Sequence, residues 1–311
     1  MKIVVAGGTG LIGSALVRGL RDAHHSIVVL TRDPDRRIPT TDRSFTFNRW
    51  DGKTAGAWHD CIDGADAVFN FSGESLAARR WTDAQKERLL NSRLEATRAI
   101  VNAIERAKRK PGVLVNASAV GYYGDVEEGE VTESRGAGNG FLADLCRKWE
   151  DVARAAGSSG VRVVTPRLGV VLAGQGSALQ KMLLPFKLFA GGPLGSGRQW
   201  FPWIHIDDVV SAAIFILSNL ELSGAVNMAA PESVTMKQFC SAIGKTLHRP
   251  SWAPVPAFVL RIALGEMSQM LLTGQRVVPS KLRQSGYSFR FPNLSAALAA
   301  VLDRLTNPER E

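Results

Sequence analysis

The segment Gly7-Gly8-Thr9-Gly10-Leu11-Ile12-Gly13 follows the apolar run Ile3-Val4-Val5-Ala6 and leads into Ser14-Ala15-Leu16-Val17. The order is strand, glycine turn, helix start. Glycines let the backbone turn sharply and come close to a pyrophosphate, while the free N–H groups that open the helix point at the anion. A glycine triplet alone says little, but a strand before it and a helix after it are the context that a dinucleotide cradle requires. Such a start commits the chain to a parallel sheet with crossover helices.

The next strand-like run, Ile27-Val28-Val29-Leu30, is apolar throughout, as expected where helices cover both faces of a sheet. It ends at Thr31-Arg32-Asp33, roughly 20 residues past the glycines, where a carboxylate would hold the ribose 2′-hydroxyl of NAD. The first residue there is the uncharged Thr31, and the guanidinium of Arg32 follows. That guanidinium suits the dianionic 2′-phosphate of NADP. Two alternatives stand beside this reading: Arg32 as a surface cation paired with Asp33 or Asp35, and Asp33 as the ribose carboxylate if the strand runs one or two residues further.

The 311 residues suggest about two domains, or one α/β domain with an appended lobe. An apolar content of 45% with 22% charged residues is enough to bury a sizeable core. No apolar stretch reaches the roughly 18 residues that span a bilayer, and Met1-Lys2 leads straight into a strand, so the expectation is a soluble cytoplasmic protein without a membrane partner. Three cysteines, Cys61, Cys146 and Cys240, lie far apart and argue against a disulfide framework. The five histidines show no metal-ligand spacing. The net charge of +9 comes from scattered basic residues, and its densest cluster, Arg106 to Lys110, closes a predicted helix whose dipole favours cations there. Nucleic acid is therefore not an expected partner.

Further strand-like runs occur at 67–71, 113–117, 161–166 and 224–228, with helical periodicity between most of them. The clearest helix follows Thr82 as N-cap, with Leu90, Leu94, Thr97, Val101 and Ile104 on one face, and stops before Pro111-Gly112. Ligands of such a sheet bind at the carboxyl ends of its strands. From 171 to 202 the chain turns glycine-rich, apolar and basic, which reads as a lid or pocket wall. Helix-like stretches beyond Thr235 start at Met236, at Pro256 and at Ser295. The expected organisation is a dinucleotide-binding domain over 1–170, continued by 203–230, a glycine-rich segment over 171–202, and a smaller, mainly helical lobe over 231–311.

The glycine turn, Asn70-Phe71-Ser72-Gly73, Ser118 with Tyr123, and Pro166-Arg167 together make the chain resemble the extended short-chain dehydrogenase/reductases. More narrowly it resembles their bacterial and organellar "epimerase family" branch, which shares the strings FNFSGESL, RWTDAQKERLLNSRLEATR, SAVGYYG, FPWIHIDDV and GAVNMAAPE and a C-terminal domain of unknown function matching Trp252 to Leu298. The resemblance implies a Rossmann-type doubly wound parallel sheet that binds NADP(H) through Gly7, Thr9, Gly10, Leu11, Ile12, Gly13, Arg32 and the Phe71-Ser72-Gly73 turn. It brings no substrate with it.

Ordinary members carry Tyr-x-x-x-Lys on the helix after the serine, where tyrosine exchanges the proton and lysine lowers its pKa. Here Leu142 and Cys146 fall at those positions. Leucine carries no proton, a thiol supplies no ammonium charge, and Lys148 lies two residues on, about 200° around the helix. The nearby hydroxyls are Tyr122, Tyr123 and Ser118; Tyr123 with Ser118 is the expected proton relay, against a reading in which both tyrosines only pack. Cys146 as nucleophile and His205 as general base are weaker candidates, the second because His205 precedes a helix that Asp207 is expected to cap. The expected activity is NADP(H)-dependent oxidoreduction or epimerase-like chemistry on a small carbonyl or hydroxyl compound, sugar-derived ones included. The alternative is an NADP(H)-binding sensor or partner-binding module without turnover.

Overall fold

The computed structural model describes residues 1–34, 45–174 and 176–306. Seven parallel strands form the central sheet: β1 (Lys2–Ala6), β2 (Ser26–Thr31), β3 (Phe45–Arg49), β4 (Ala67–Asn70), β5 (Val113–Asn116), β6 (Arg162–Leu168) and β7 (Gly224–Met228). Their spatial order is β7-β6-β5-β4-β1-β2-β3, and the short strand Ser118–Ala119 adds to the edge of β6. The order reverses at β1, so a crevice opens beside its carboxyl end.

Alternation along the strands decides the two layers. Ile3, Val5, Ile27 and Val29 pack with Leu16, Val17 and Leu20 of helix α1 (Leu11–Asp22) and with Val209 and Ala212 of the later helix Ile206–Ser218. Val4, Ala6, Val28 and Leu30 face the other way, onto Ile100 and Ile104 of helix α2 (Asp83–Arg106). Thr82 caps α2 as expected, its hydroxyl accepting from the Gln85 N–H at 3.2 Å. Helix α3 (Phe141–Arg154) precedes β6 and packs along α2.

The expectation missed β3, whose register places Ile27 opposite Phe45 and Thr31 opposite Arg49. Its residues Phe-Thr-Phe-Asn-Arg alternate apolar and polar, which is an edge-strand pattern that a search for continuous apolar runs passes over. The glycine-rich segment, expected as a lid or pocket wall, carries regular structure. It opens with a strand, Val170–Leu172, paired in parallel with Trp203–His205, and holds helix α4 (Ala178–Lys187). Leu179, Leu183 and Phe186 of α4 bury against Phe239 and Ile243 of helix α6 (Met236–Leu247), with α5 being Ile206–Ser218. The stretch expected to start at Pro256 is the short helix α7 (Ala257–Leu264), which ends where Gly265 takes φ +63°. The closing helix Leu294–Thr306 seals this lobe through Leu298 and Val301. Among the described residues no helix is long and apolar enough to cross a membrane.

The lobe is fastened to the sheet at the start of α5. His205, not Asp207, is the N-cap: its Nδ1 accepts from the Asp207 N–H at 3.1 Å, and the ring is completely buried against Phe291. Asp207 holds Arg304 of the closing helix with both carboxylate oxygens, at 2.8 and 2.6 Å, while Asp208 accepts from the N–H groups of Arg290 and Phe291. Burial pushes the His205 pKa well below its ordinary value, and Asp207 only partly opposes this. A histidine that stays neutral in the folded state and charges when unfolded contributes stability that is full above about pH 6.5 and is lost as pH falls below it. Denaturant titrations between pH 7 and pH 5 are therefore expected to show falling stability in the wild type and a shallower fall in His205→Gln; parallel slopes would contradict the assignment.

Candidate functional site

Gly7 leaves β1 with φ +78°, and a β-carbon there would stand 2.7 Å from the Phe71 carbonyl carbon. The turns after β1 and β4 thus touch through bare backbone. A β-carbon on Gly13 would lie 2.1 Å from the Gly7 carbonyl oxygen, so α1 can begin against the turn only with glycine at that point. Gly10 caps α1 without a side-chain hydrogen bond, and the first turn carries no carboxylate. Its N–H groups and the positive end of the helix dipole are left for an anion.

In front of this turn lies a cavity of about 520 Å³ whose wall is shared by the ends of β1 to β4 and by α2. The expected residues Gly7, Thr9, Gly10, Arg32, Phe71, Ser72 and Gly73 line it. Leu11, Ile12 and Gly13 do not line it: Leu11 is exposed, Ile12 packs on the core and Gly13 is buried against Gly7. The wall also includes Trp50, Asp51, Gly52 and Lys53, which follow the overlooked β3, and Glu74 and Glu95, of which Glu95 lies on α2. Lys53 Nζ meets the Glu95 carboxylate at 3.0 Å across the mouth. Asp51 accepts from the Thr54 hydroxyl and from the N–H groups of Thr54 and Lys53, hydrogen bonds that lower its pKa and shape the turn.

β2 ends at Thr31, whose hydroxyl accepts from the Asp33 N–H at 3.3 Å and turns the chain out of the strand. The longer strand that would have made Asp33 the ribose carboxylate does not form. Arg32 is exposed on the cavity wall and makes no ion pair among the described residues. Asp35, the other partner considered for it, lies outside those residues.

The Phe71-Ser72-Gly73 turn is held by a buried polar chain. The Asn70 amide donates to Thr97 Oγ1 at 3.0 Å and to Asn116 Oδ1 at 2.7 Å, and its own Oδ1 accepts from the Ser72 N–H at 3.1 Å. Trp149 of α3 donates its indole N–H to the same Thr97 hydroxyl at 2.8 Å. Four elements are locked together, and the turn inherits their rigidity.

The expected proton relay is not formed. Tyr123 is 1% exposed; its hydroxyl donates to Asn227 Oδ1 at 2.6 Å and accepts from Arg167 Nη1 at 2.9 Å. Burial pushes its pKa up to about 12 against the pull of Arg167. Ser118 is buried too, and donates to Glu150 Oε1 at 2.6 Å. Both hydroxyls belong to a network around the Arg167–Glu150 pair, which is bidentate at 2.8 and 2.9 Å and joins α3 to β6. Burial opposes the charge on Arg167, but the hydrogen bonds and charge of Glu150 outweigh it and raise the pKa further.

Leu142, Cys146 and Glu150 follow one another on one face of α3. A β-carbon on Gly121 would stand 3.2 Å from Leu142 Cβ, so Leu142 packs against the loop where a tyrosine would act. Burial pushes the Cys146 thiol up to about 11, which leaves it neutral and inert. Tyr122 lies half-buried with the Arg167 guanidinium 3.4 Å over its ring, and its hydroxyl makes no hydrogen bond among the described residues. His205, at the start of α5, is its N-cap.

Fold and site define a dinucleotide-binding domain with a helical lobe appended. The sequence profile of the NAD dependent epimerase/dehydratase family matches residues 3–229, and a domain of unknown function matches 255–301. The chain belongs to that family. It is 39% identical over 307 residues to "Epimerase family protein SDR39U1 homolog, chloroplastic" of Arabidopsis thaliana, covering 97% of this chain and 87% of that protein. It is 38% identical to "Epimerase family protein YfhF" of Bacillus subtilis, covering 98% and 100%. Among solved structures it is similar to the human epimerase family protein SDR39U1 (isoform 2) with NADPH, at TM-score 0.85 and 34% identity over 99% of this chain and 100% of that one.

Tyr123→Phe leaves the Asn227 carbonyl without its donor and is expected to cost about 1–3 kcal/mol of stability. Glu150→Gln leaves Arg167 charged and unpaired in the interior, for about 3–5 kcal/mol. Urea denaturation checks both, and two variants as stable as the wild type would remove the network from its structural role.

Proposed function

We propose that this chain is an NADP(H)-dependent oxidoreductase of epimerase-like type, acting in the cytoplasm on a small carbonyl or hydroxyl compound, sugar-derived ones included. The observation that carries the cofactor is Arg32: a guanidinium without an ion pair among the described residues, immediately after the end of β2, on the wall of the cavity that the glycine turn closes. The similarity to a human protein whose structure holds NADPH supports the same reading. Gly7 and Gly10 with the start of α1 receive the pyrophosphate, Arg32 the 2′-phosphate, and the Phe71-Ser72-Gly73 turn supports the half that leads to the nicotinamide. Bound NADPH would supply the hydride that a carbonyl carbon accepts, and bound NADP+ would take up the hydride that an alcohol carbon releases.

Tyr123 and Ser118 are tied into the buried network, so the proton passes instead through Tyr122, whose hydroxyl is free of other partners among the described residues. The Arg167 guanidinium stacked on its ring holds the side chain in place. A second reading, an NADP(H)-binding sensor without turnover, is favoured by one observation: Leu142 and Cys146 occupy the face of α3 where a tyrosine and a lysine would act, with the thiol buried.

Removing the Arg32 charge should weaken NADPH binding roughly tenfold to a hundredfold and leave NADH binding unchanged, as read from fluorescence titrations of wild type and Arg32→Ala. Equal affinity of the wild type for both cofactors would end the NADP assignment. In a screen of aldehydes, ketones and sugar nucleotides for NADPH oxidation, Tyr122→Phe is expected to slow the active pair by about 100-fold with NADPH affinity retained. A screen without any turnover, beside intact NADPH binding, decides for the sensor.

A further inference from the structure

The chain contains no Asp or Glu from 152 to 206, and none from 233 to 265. These stretches meet in the C-terminal lobe. Trp252 donates its indole N–H to the Phe189 carbonyl at 3.0 Å, the Trp252 N–H donates to the Gly191 carbonyl, and the Arg249 guanidinium sits 4.5 Å over the Phe189 ring. Around this junction large apolar side chains face solvent. Leu184 and Leu188, one turn apart at the end of α4, are 59% and 68% exposed, and Phe189 and Trp252 are 56% and 69% exposed. Lys181 and Lys187 stand on the same helix. The chain then runs directly into α7, where Phe258 and Ile262, again one turn apart, are exposed on either side of Arg261 in sequence.

We propose that this face seats the protein on the surface of an anionic lipid bilayer. Isolated exposed apolar residues need no explanation, but four large ones joined by contacts form a patch of the kind that marks an interaction surface. Two facts select a membrane over another protein. The patch carries a tryptophan beside leucines and a phenylalanine, and the charged side chains nearest them in sequence are lysine and arginine, which is the composition of an interfacial anchor. The carboxylate-free stretches also leave no acidic residue within the patch to oppose a negative surface, so apolar insertion and electrostatic attraction act together, and stable peripheral binding requires both. The expected absence of a membrane partner rested on the lack of a spanning stretch; lying on a bilayer needs none. No residue of this patch lines the cofactor cavity, so the inference stands or falls independently of the proposed chemistry.

Flotation of the full-length protein with phosphatidylcholine vesicles containing about a third phosphatidylglycerol tests it. Binding to these vesicles is expected, with weak binding to pure phosphatidylcholine and a loss on raising the salt from 50 to 500 mM, the two concentrations to be compared, because exposed charges are screened. Leu188→Ser with Phe189→Ser, and separately Lys187→Glu with Arg249→Glu, should each reduce binding at least tenfold while the melting temperature stays near that of the wild type. Absence of flotation with anionic vesicles would overturn the proposal, as would binding that both variants retain. A dimer at micromolar concentration that the Leu188/Phe189 variant dissolves, without vesicle binding, would assign the face to a second copy of the chain and equally overturn it.

Discussion

Gly7 and the Phe71–Ser72 peptide approach so closely that no β-carbon fits between them. Everything about the site follows from that contact. It brings the carboxyl ends of β1 and β4 together, aims the start of α1 into the gap, and leaves a cavity whose floor is backbone and whose sides are the strand ends on either hand. Side chains in this position would fill the space and hide the N–H groups that an anion needs. The core beneath, with Val4, Val5, Val68 and Phe69 fully buried, keeps the two turns from drifting apart.

Behind the cavity the interior is held by buried polar groups. Asn70, Thr97, Asn116 and Trp149 form one satisfied chain, and Ser118, Glu150, Arg167, Tyr123 and Asn227 form another. Each hydroxyl in them has its partners. A buried donor or acceptor that lost its partner would cost more than the bond itself contributes, so these residues are committed to structure. Tyr122 is different: it lies beside them, packs its ring under Arg167 and keeps its hydroxyl out of the network.

The C-terminal lobe follows a comparable division. Its inner side is apolar, with Phe239, Ile243, Leu298 and Val301 buried, and it is pinned to α5 by Asp207, Asp208 and the His205 cap. Its outer side, from α4 through Trp252 to α7, is apolar and basic and has no partner covering it among the described residues. The residues that build the lobe and the residues that face outward alternate within the same helix, Leu183 inward and Leu184 outward, so one segment serves both ends.

Much of this was legible along the chain. Local patterns of spacing and composition, which act within a few residues, determine the parallel sheet, the glycine cradle, the Thr82 cap and Thr31-Arg32 at a strand end, while the resemblance to the extended short-chain dehydrogenase/reductases supplied the Rossmann type and the positions, Leu142 and Cys146, where a tyrosine–lysine pair is missing. Four matters were decided by tertiary structure. β3 is an edge strand whose pairing, and not its apolarity, makes it a strand, and with it came Trp50 to Lys53 as cavity wall. Helix α4 forms inside a glycine-rich stretch because Leu179, Leu183 and Phe186 find α6. His205 displaced Asp207 as cap because Asp207 was drawn to Arg304 from a helix nearly a hundred residues away. Tyr123 and Ser118 hydrogen-bond to Asn227, Arg167 and Glu150, partners that adjacency in sequence does not reveal, since hydrogen bonds between distant elements exist only once the sheet has brought them within reach.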